Sequence, residues 1–253
     1  ALTNNKNISA SKTTVLNVGS LGNSGLIYGE NLIVGSAGNQ FKNIAQPSGV
    51  RTFSSVEQKG LVAANSLTLY TQGILNDVYQ AANINISSDS ALTLNGSLVA
   101  NNQANITSTN FTNNGKVDIG DSALTSTWDV QGILTNNGII NSKSNLLLNA
   151  DTTSNDGALN ITKALTINTK TFTNKSNGSL SSKGQLTISG IGQSLTDRST
   201  SFTNAGTIVT DQGFDLSANS IVNSNKIEVT GNSQWYFNSL SNTQGSRISV
   251  DGD

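Results

Sequence analysis

The chain reads as an all-β protein wound as a parallel β-helix, in coils of about 19–20 residues. Three observations lead there: a spaced pattern that recurs, an interval of 19 residues in four of its six recurrences, and the residues at its turns. The pattern is clearest in Leu134–Asn149. With Leu134 as slot zero, Asn136 falls at +2, Gly138 at +4, Ile140 at +6, Leu146 at +12 and Leu148 at +14. Copies begin at residues 111, 134, 153, 172, 202, 221 and 240, so successive starts lie 23, 19, 19, 30, 19 and 19 residues apart. A period near twenty is the mark of a solenoid in which each repeat touches only its neighbours. One such coil cannot bury its own apolar residues. Coils must stack, with strands pairing in parallel at ~4.8 Å.

Each copy justifies its elements in the same way. Apolar residues at zero, +6, +12 and +14 point inward, and the Ser, Thr and Asn between them point out. Asn at +2 and Gly at +4 mark a corner. Both tolerate left-handed backbone, and stacked asparagines can pair their amides along the axis. Phe202 repeats the pattern with Asn204, Gly206, Ile208, Phe214 and Leu216. Thr153 does so with Asn155, Gly157, Leu159, Leu165 and Ile167. Phe111 opens a copy that slips after Val117, and Phe172 opens one with two extra residues before Gly178. Ile221 has Asn225 in the glycine slot, and after Leu240 and Asn242 the glycine, Gly245, comes one residue late.

The pattern is regular over 111–250 and looser over 1–110, and it continues enough to treat 1–253 as one domain. Leu21, Asn23, Gly25, Ile27, Leu32 and Val34 form an early copy, and Phe41 with Asn43 opens another. Leu61, Leu67 and Leu69 restore the six-and-eight spacing, as do Ile86, Leu92 and Leu94. Three stretches break it and are expected to be loops. Residues 44–60 hold the single proline, Pro47, which cannot donate to a ladder. Residues 70–80 carry Tyr70, Asp77 and Tyr79, and residues 190–200 carry Asp197 and Arg198.

Charged residues make up 11% of the chain, less than half the usual share of about 25%. There are 36 asparagines among abundant serine and threonine. This suits an outer β-surface of short amide and hydroxyl side chains, not a disordered chain, because the apolar residues are regularly placed. Net charge is −1 and the basic residues are scattered, so no nucleic-acid partner is expected. No apolar run reaches transmembrane length. The first residues show no signal-peptide pattern and no initiator methionine, so the chain is expected to be a piece of a longer protein. Cysteine is absent, which suits export as an unfolded chain, although composition drift in an Asn- and Ser-rich repeat explains it equally well.

Chemistry has few residues to work with. Without histidine or cysteine, His-based catalysis, His metal ligation and thiolate chemistry are excluded. Asp118, Asp121 and Asp129 form the densest acidic group, and carboxylates with Arg or Lys serve polysaccharide lyases and hydrolases on this fold. The three arginines, Arg51, Arg198 and Arg247, all lie far from that group in sequence, so solvated corner aspartates are the expectation. Val117–Asp121 is a faint, unrepeated echo of a calcium β-roll motif. Asn-x-Ser/Thr tripeptides at Asn7, Asn85, Asn95, Asn105, Asn110, Asn160, Asn174 and Asn177 arise from composition. No catalytic residue, cofactor or metal ligand is expected. Phe111, Phe172, Phe202, Phe214 and Trp235 occupy core slots. Trp128, if exposed, is a contact candidate, and Tyr70 and Tyr79 are either surface anchors or flank cover.

The Leu134–Asn149 run, with Phe111-Thr-Asn-Asn-Gly and Phe202-Thr-Asn-Ala-Gly, resembles the filamentous haemagglutinin repeat of bacterial two-partner-secretion exoproteins. That family includes large adhesins and the stick-like effectors of contact-dependent growth inhibition. The resemblance implies a right-handed parallel β-helix, export through an outer-membrane transporter and display at the cell surface, with virulence among the associated roles. The family's secretion domain bears Asn-Pro signatures, whereas here the one proline follows Gln46, which favours an internal filament segment. The expected function is a stalk, with a receptor or glycan on a target cell as partner through the three loops. The alternative is a carbohydrate-active enzyme with a groove along the helix.

Overall fold

The structure, a computed structural model, describes residues 2–38, 40–43, 60–192 and 196–252. The expected loop at 44–60 therefore falls, except for Gly60, outside the described residues, as does Arg51. Within them the chain is all β. Twenty-six strands pair only in parallel and stack as a solenoid of about 12 turns, with no helix.

Each regular coil supplies three strands, seen well between residues 110 and 142. The first strand, Asn110–Asn113, carries slot zero and the corner asparagine. The second, Lys116–Ile119, carries +6. The third opens Ser126–Asn136, which bends past a bulge after Val130 and becomes the first strand of the next coil. Partner registers reproduce the sequence intervals. Phe111 sits over Leu134, Leu134 over Thr153, Thr153 over Phe172, Phe172 over Phe202, Phe202 over Ile221 and Ile221 over Leu240. The 23- and 30-residue intervals are thus ordinary coils with inserts at corners.

One continuous apolar column fills the interior. Ile140, Leu148, Leu165 and Phe202 are fully buried, as their slots require. Phe172, Phe202, Phe214 and Trp235 follow one another with ring centroids 5.3–5.9 Å apart. Such offset and tilted pairs add to what area burial alone contributes.

The corners work differently from the sequence expectation. Gly115, Gly138 and Gly157 have ordinary backbone, and the positive-φ glycines lie elsewhere. They are glycines because coils touch there: a Cβ on Gly138 would lie 2.0 Å from the Gly115 carbonyl oxygen, and one on Gly157 would lie 2.0 Å from that of Gly138. Close approach, not handedness, selects glycine at +4.

Asparagine at +2 builds the expected amide ladder, and builds it indoors. Asn113 donates from Nδ2 to Oδ1 of Asn136, and the relay continues through Asn155, Asn174, Asn204 and Asn223 to Asn242, each bond 2.7–2.8 Å long. An isolated rung joins Asn4 to Asn23. Between the two runs, among the described residues, the slot holds Leu75 and Leu94, both buried. Asn113 is the first rung after them, and its Oδ1 is buried without a partner.

Two expectations are overturned here. Residues 70–80 are not a loop, because Gly60–Leu75 and Val78–Ser87 are strands that leave only two residues between them. Tyr79 stands over Leu61 in the second-strand core slot and is 1% exposed, which a tyrosine in an apolar slot disguised. Ile86, Leu92 and Leu94 do not match Leu61, Leu67 and Leu69. Ile86 pairs with Leu69, and Leu92 begins the next coil under Phe111. Their shared spacing is a coincidence across a coil boundary.

Candidate functional site

The structure disperses the acidic residues that the sequence clusters. Asp118 is on a second strand and faces outward beside Lys116, whose Nζ lies 2.7 Å from its carboxylate. Asp129 is on a third strand. Asp121 follows the second strand and is gripped by Lys163 at 2.7 Å, and Lys163 also donates to the Ser122 carbonyl. That bond and charge hold the Asp121 carboxyl below its usual range. The effect is a strap across the corner at 120–125, exposed to solvent and of small worth to stability.

Two of these aspartates have a role that sequence reasoning missed. Outer ladders of asparagine run along the surface, with each amide donating toward the preceding coil. Asn160 donates to Asn141, and Asn141 to Asp118. Asn168 donates to Asn149, and Asn149 to Asp129 at 2.6 Å. Asn177 donates to Asp156. A row whose amides all donate one way ends in a group that only needs to accept, and an ionised carboxylate is such a group. The signal was present in the sequence: Asp118 and Asn141 lie 23 residues apart, the same interval as Phe111 and Leu134. Among the described residues, no three acidic groups are placed to share a metal ion.

The aromatic contact candidates also resolve. Trp128 is fully buried, its ring edge-on to Phe111 at 5.3 Å and its Nε1–H donating to the Ala104 carbonyl. It fills the +14 slot under Leu148, so it is a core residue and not a contact residue. Burial pushes the Tyr79 hydroxyl well above the usual tyrosine range; the Asp77 charge pushes the same way and a hydrogen bond with the Asp77 backbone opposes it. Trp235 is only half buried, with Nε1–H bonded to the Phe214 carbonyl. Tyr70 is half-exposed.

Two surface features remain. Between the strands Leu186–Ser189 and Ser199–Asn204 the described residues 190–192 and 196–198 form no strand, as expected for most of 190–200, while Ser199 and Thr200 are already strand. The foot of this insert is closed by a Gly190 N–H to Asp197 carbonyl bond, Arg198 donates to Asn238 two coils on, and Ile191 is exposed. Ser199 already belongs to the frame, bonding the Thr169 carbonyl at 2.7 Å. A shallow depression of about 380 Å³ lies on the third-strand face and is lined by Thr125, Asn145, Leu147, Thr166 and Thr187. It contains no charged side chain, and therefore no acid–base pair.

These features define a class, a parallel β-solenoid whose surface carries asparagine ladders and whose irregularities among the described residues are corner inserts. Compared with known proteins, the chain matches no family model, no curated protein and no solved structure.

Proposed function

We propose that this chain is a rigid stalk segment of a secreted, cell-surface bacterial exoprotein that acts in adhesion or contact-dependent growth inhibition. The insert after Gly190 is its receptor or glycan contact. The observation that carries the reading is how the acidic residues are used. Asp118, Asp129 and Asp156 terminate amide rows and Asp121 is strapped by Lys163, which leaves a ladder-bound stack whose feet at Gly190 and Ser199 carry the insert between them. Binding contacts commonly sit on such loops. The repeat resemblance adds the secretion route through an outer-membrane transporter.

The test exchanges residues 191–197 for a short Gly-Ser link, sparing Ser199. The expected outcome is an unchanged thermal midpoint with weaker attachment of the purified domain to target cells. Attachment unchanged by the exchange would remove the insert from the reading. Cleavage of a glycan by the purified domain, lost in the Asp118→Asn, Asp121→Asn double variant, would replace the stalk with the enzyme.

A further inference from the structure

Asparagine followed by glycine is chemically fragile. The deprotonated glycine nitrogen attacks the asparagine Cγ, and glycine lacks the side chain that would obstruct it. A bond forms between that nitrogen and Cγ, the Cγ–Nδ2 bond breaks, and ammonia leaves. Water then opens the cyclic imide to aspartate or isoaspartate. The chain contains four such pairs, at Asn95, Asn114, Asn137 and Asn177, and all four asparagines are exposed.

At three of them the stacked coils hold both reacting groups. Gly96 and Gly115 donate their backbone N–H to the carbonyls of Leu75 and Leu94, and Gly138 donates to that of Asn113, all at 3.0 Å. The side-chain amides form an outer row, with Asn95 donating to Asn76, Asn114 to Asn95 and Asn137 to Asn114, at 2.9–3.0 Å. Bringing the glycine nitrogen onto Cγ requires breaking two bonds between coils at once.

The fourth corner is built otherwise. Two extra residues lie between Asn174 and Gly178, and Lys175, Ser176 and Asn177 are all exposed. The Gly178 N–H donates to the Lys175 carbonyl at 2.8 Å, inside the same turn. The Gly178 carbonyl is held by Thr207, but it is not the attacking atom. The turn can open locally and free the nitrogen while the coils stay paired.

We propose that Asn177–Gly178 is the site of spontaneous deamidation in the folded protein and that coil stacking shields Asn95, Asn114 and Asn137. The product places a new carboxylate where Asn177 donated to Asp156 at 3.1 Å, beside a Lys175 ammonium 3.8 Å from Asp156. A donor becomes a like charge, so the corner loosens with age. The modification is a clock set in one insert of an otherwise locked stack.

The intact chain is incubated at mildly alkaline pH, folded in one sample and in concentrated urea in the other, and all four sites are followed by peptide mapping. In urea the four react at similar rates. In the folded chain Asn177 keeps within a few-fold of its unfolded rate, while the other three slow by roughly tenfold or more. If any of the three keeps pace with Asn177 in the folded chain, or Asn177 is shielded as strongly as they are, the proposal fails.

Discussion

Single positions show how little tolerance a stacked coil leaves. Thr153 occupies slot zero between Leu134 and Phe172, and its Oγ1 is buried with no partner. An unsatisfied hydroxyl in such a place costs roughly 1–3 kcal/mol. Thr153→Val keeps the shape and removes the hydroxyl, and it should stabilise the chain by about 1 kcal/mol. The thermal midpoint should then rise by roughly 2–4 °C. A lower midpoint would mean that the hydroxyl is satisfied in a way the structure does not show. Trp128 teaches the complementary lesson. An indole fits the third-strand slot because it packs T-shaped against Phe111 and its Nε1–H finds the Ala104 carbonyl.

At the scale of elements, the two kinds of asparagine row differ in where they lie and which way they point. The inner row is buried from Asn113 to Asn223 and donates toward higher residue numbers, whereas the outer rows, apart from the buried Asn168, are half or fully exposed and donate toward lower ones. Water can replace an exposed rung and cannot replace a buried one. Asn155→Ala therefore strands the Asn136 donor and the Asn174 acceptor, and should cost about 2–4 kcal/mol in chemical denaturation. Asn160→Ala removes an outer rung, and should cost within about 0.5 kcal/mol. Equal losses in the two variants would show that burial does not set the worth of a rung.

For the whole molecule, stability is close to a sum over coils and their interfaces. Leu134, Thr153 and Phe172 stand in one column at 19-residue steps. Deleting residues 153–171 therefore sets Phe172 directly over Leu134, and should yield a folded chain shorter by one coil with its β signal retained. Deleting nine residues from the same place turns core slots outward, and should abolish cooperative melting. The same damage from both deletions would contradict a modular stack. Leu240 stands over Ile221 in a slot that is buried in every coil from Phe111 to Ile221, and among the described residues it is 43% exposed.

The coil period, the core slots from Leu134 to Ile221 and the corner asparagines were legible in the sequence by itself, because stacking forces each coil to repeat the same inward and outward choices at the same spacing; the slot of Trp128, past the slip after Val117, was not. The same periodicity contained the pairing of Asp118 with Asn141, although it takes the register to read it. Other features were settled only by the tertiary structure. Residues 70–80 read as a loop because Tyr79 stands where a leucine pattern is expected, and only the strand lying over Leu61 makes that tyrosine an interior residue. The corner glycines were read as a matter of backbone handedness, yet their cause is a carbonyl of the preceding coil that no local sequence contains. The four Asn–Gly pairs are identical as dipeptides. What separates Asn177 from the rest is whether the glycine N–H is held by a neighbouring coil or by its own turn, a difference that exists only once the coils are stacked.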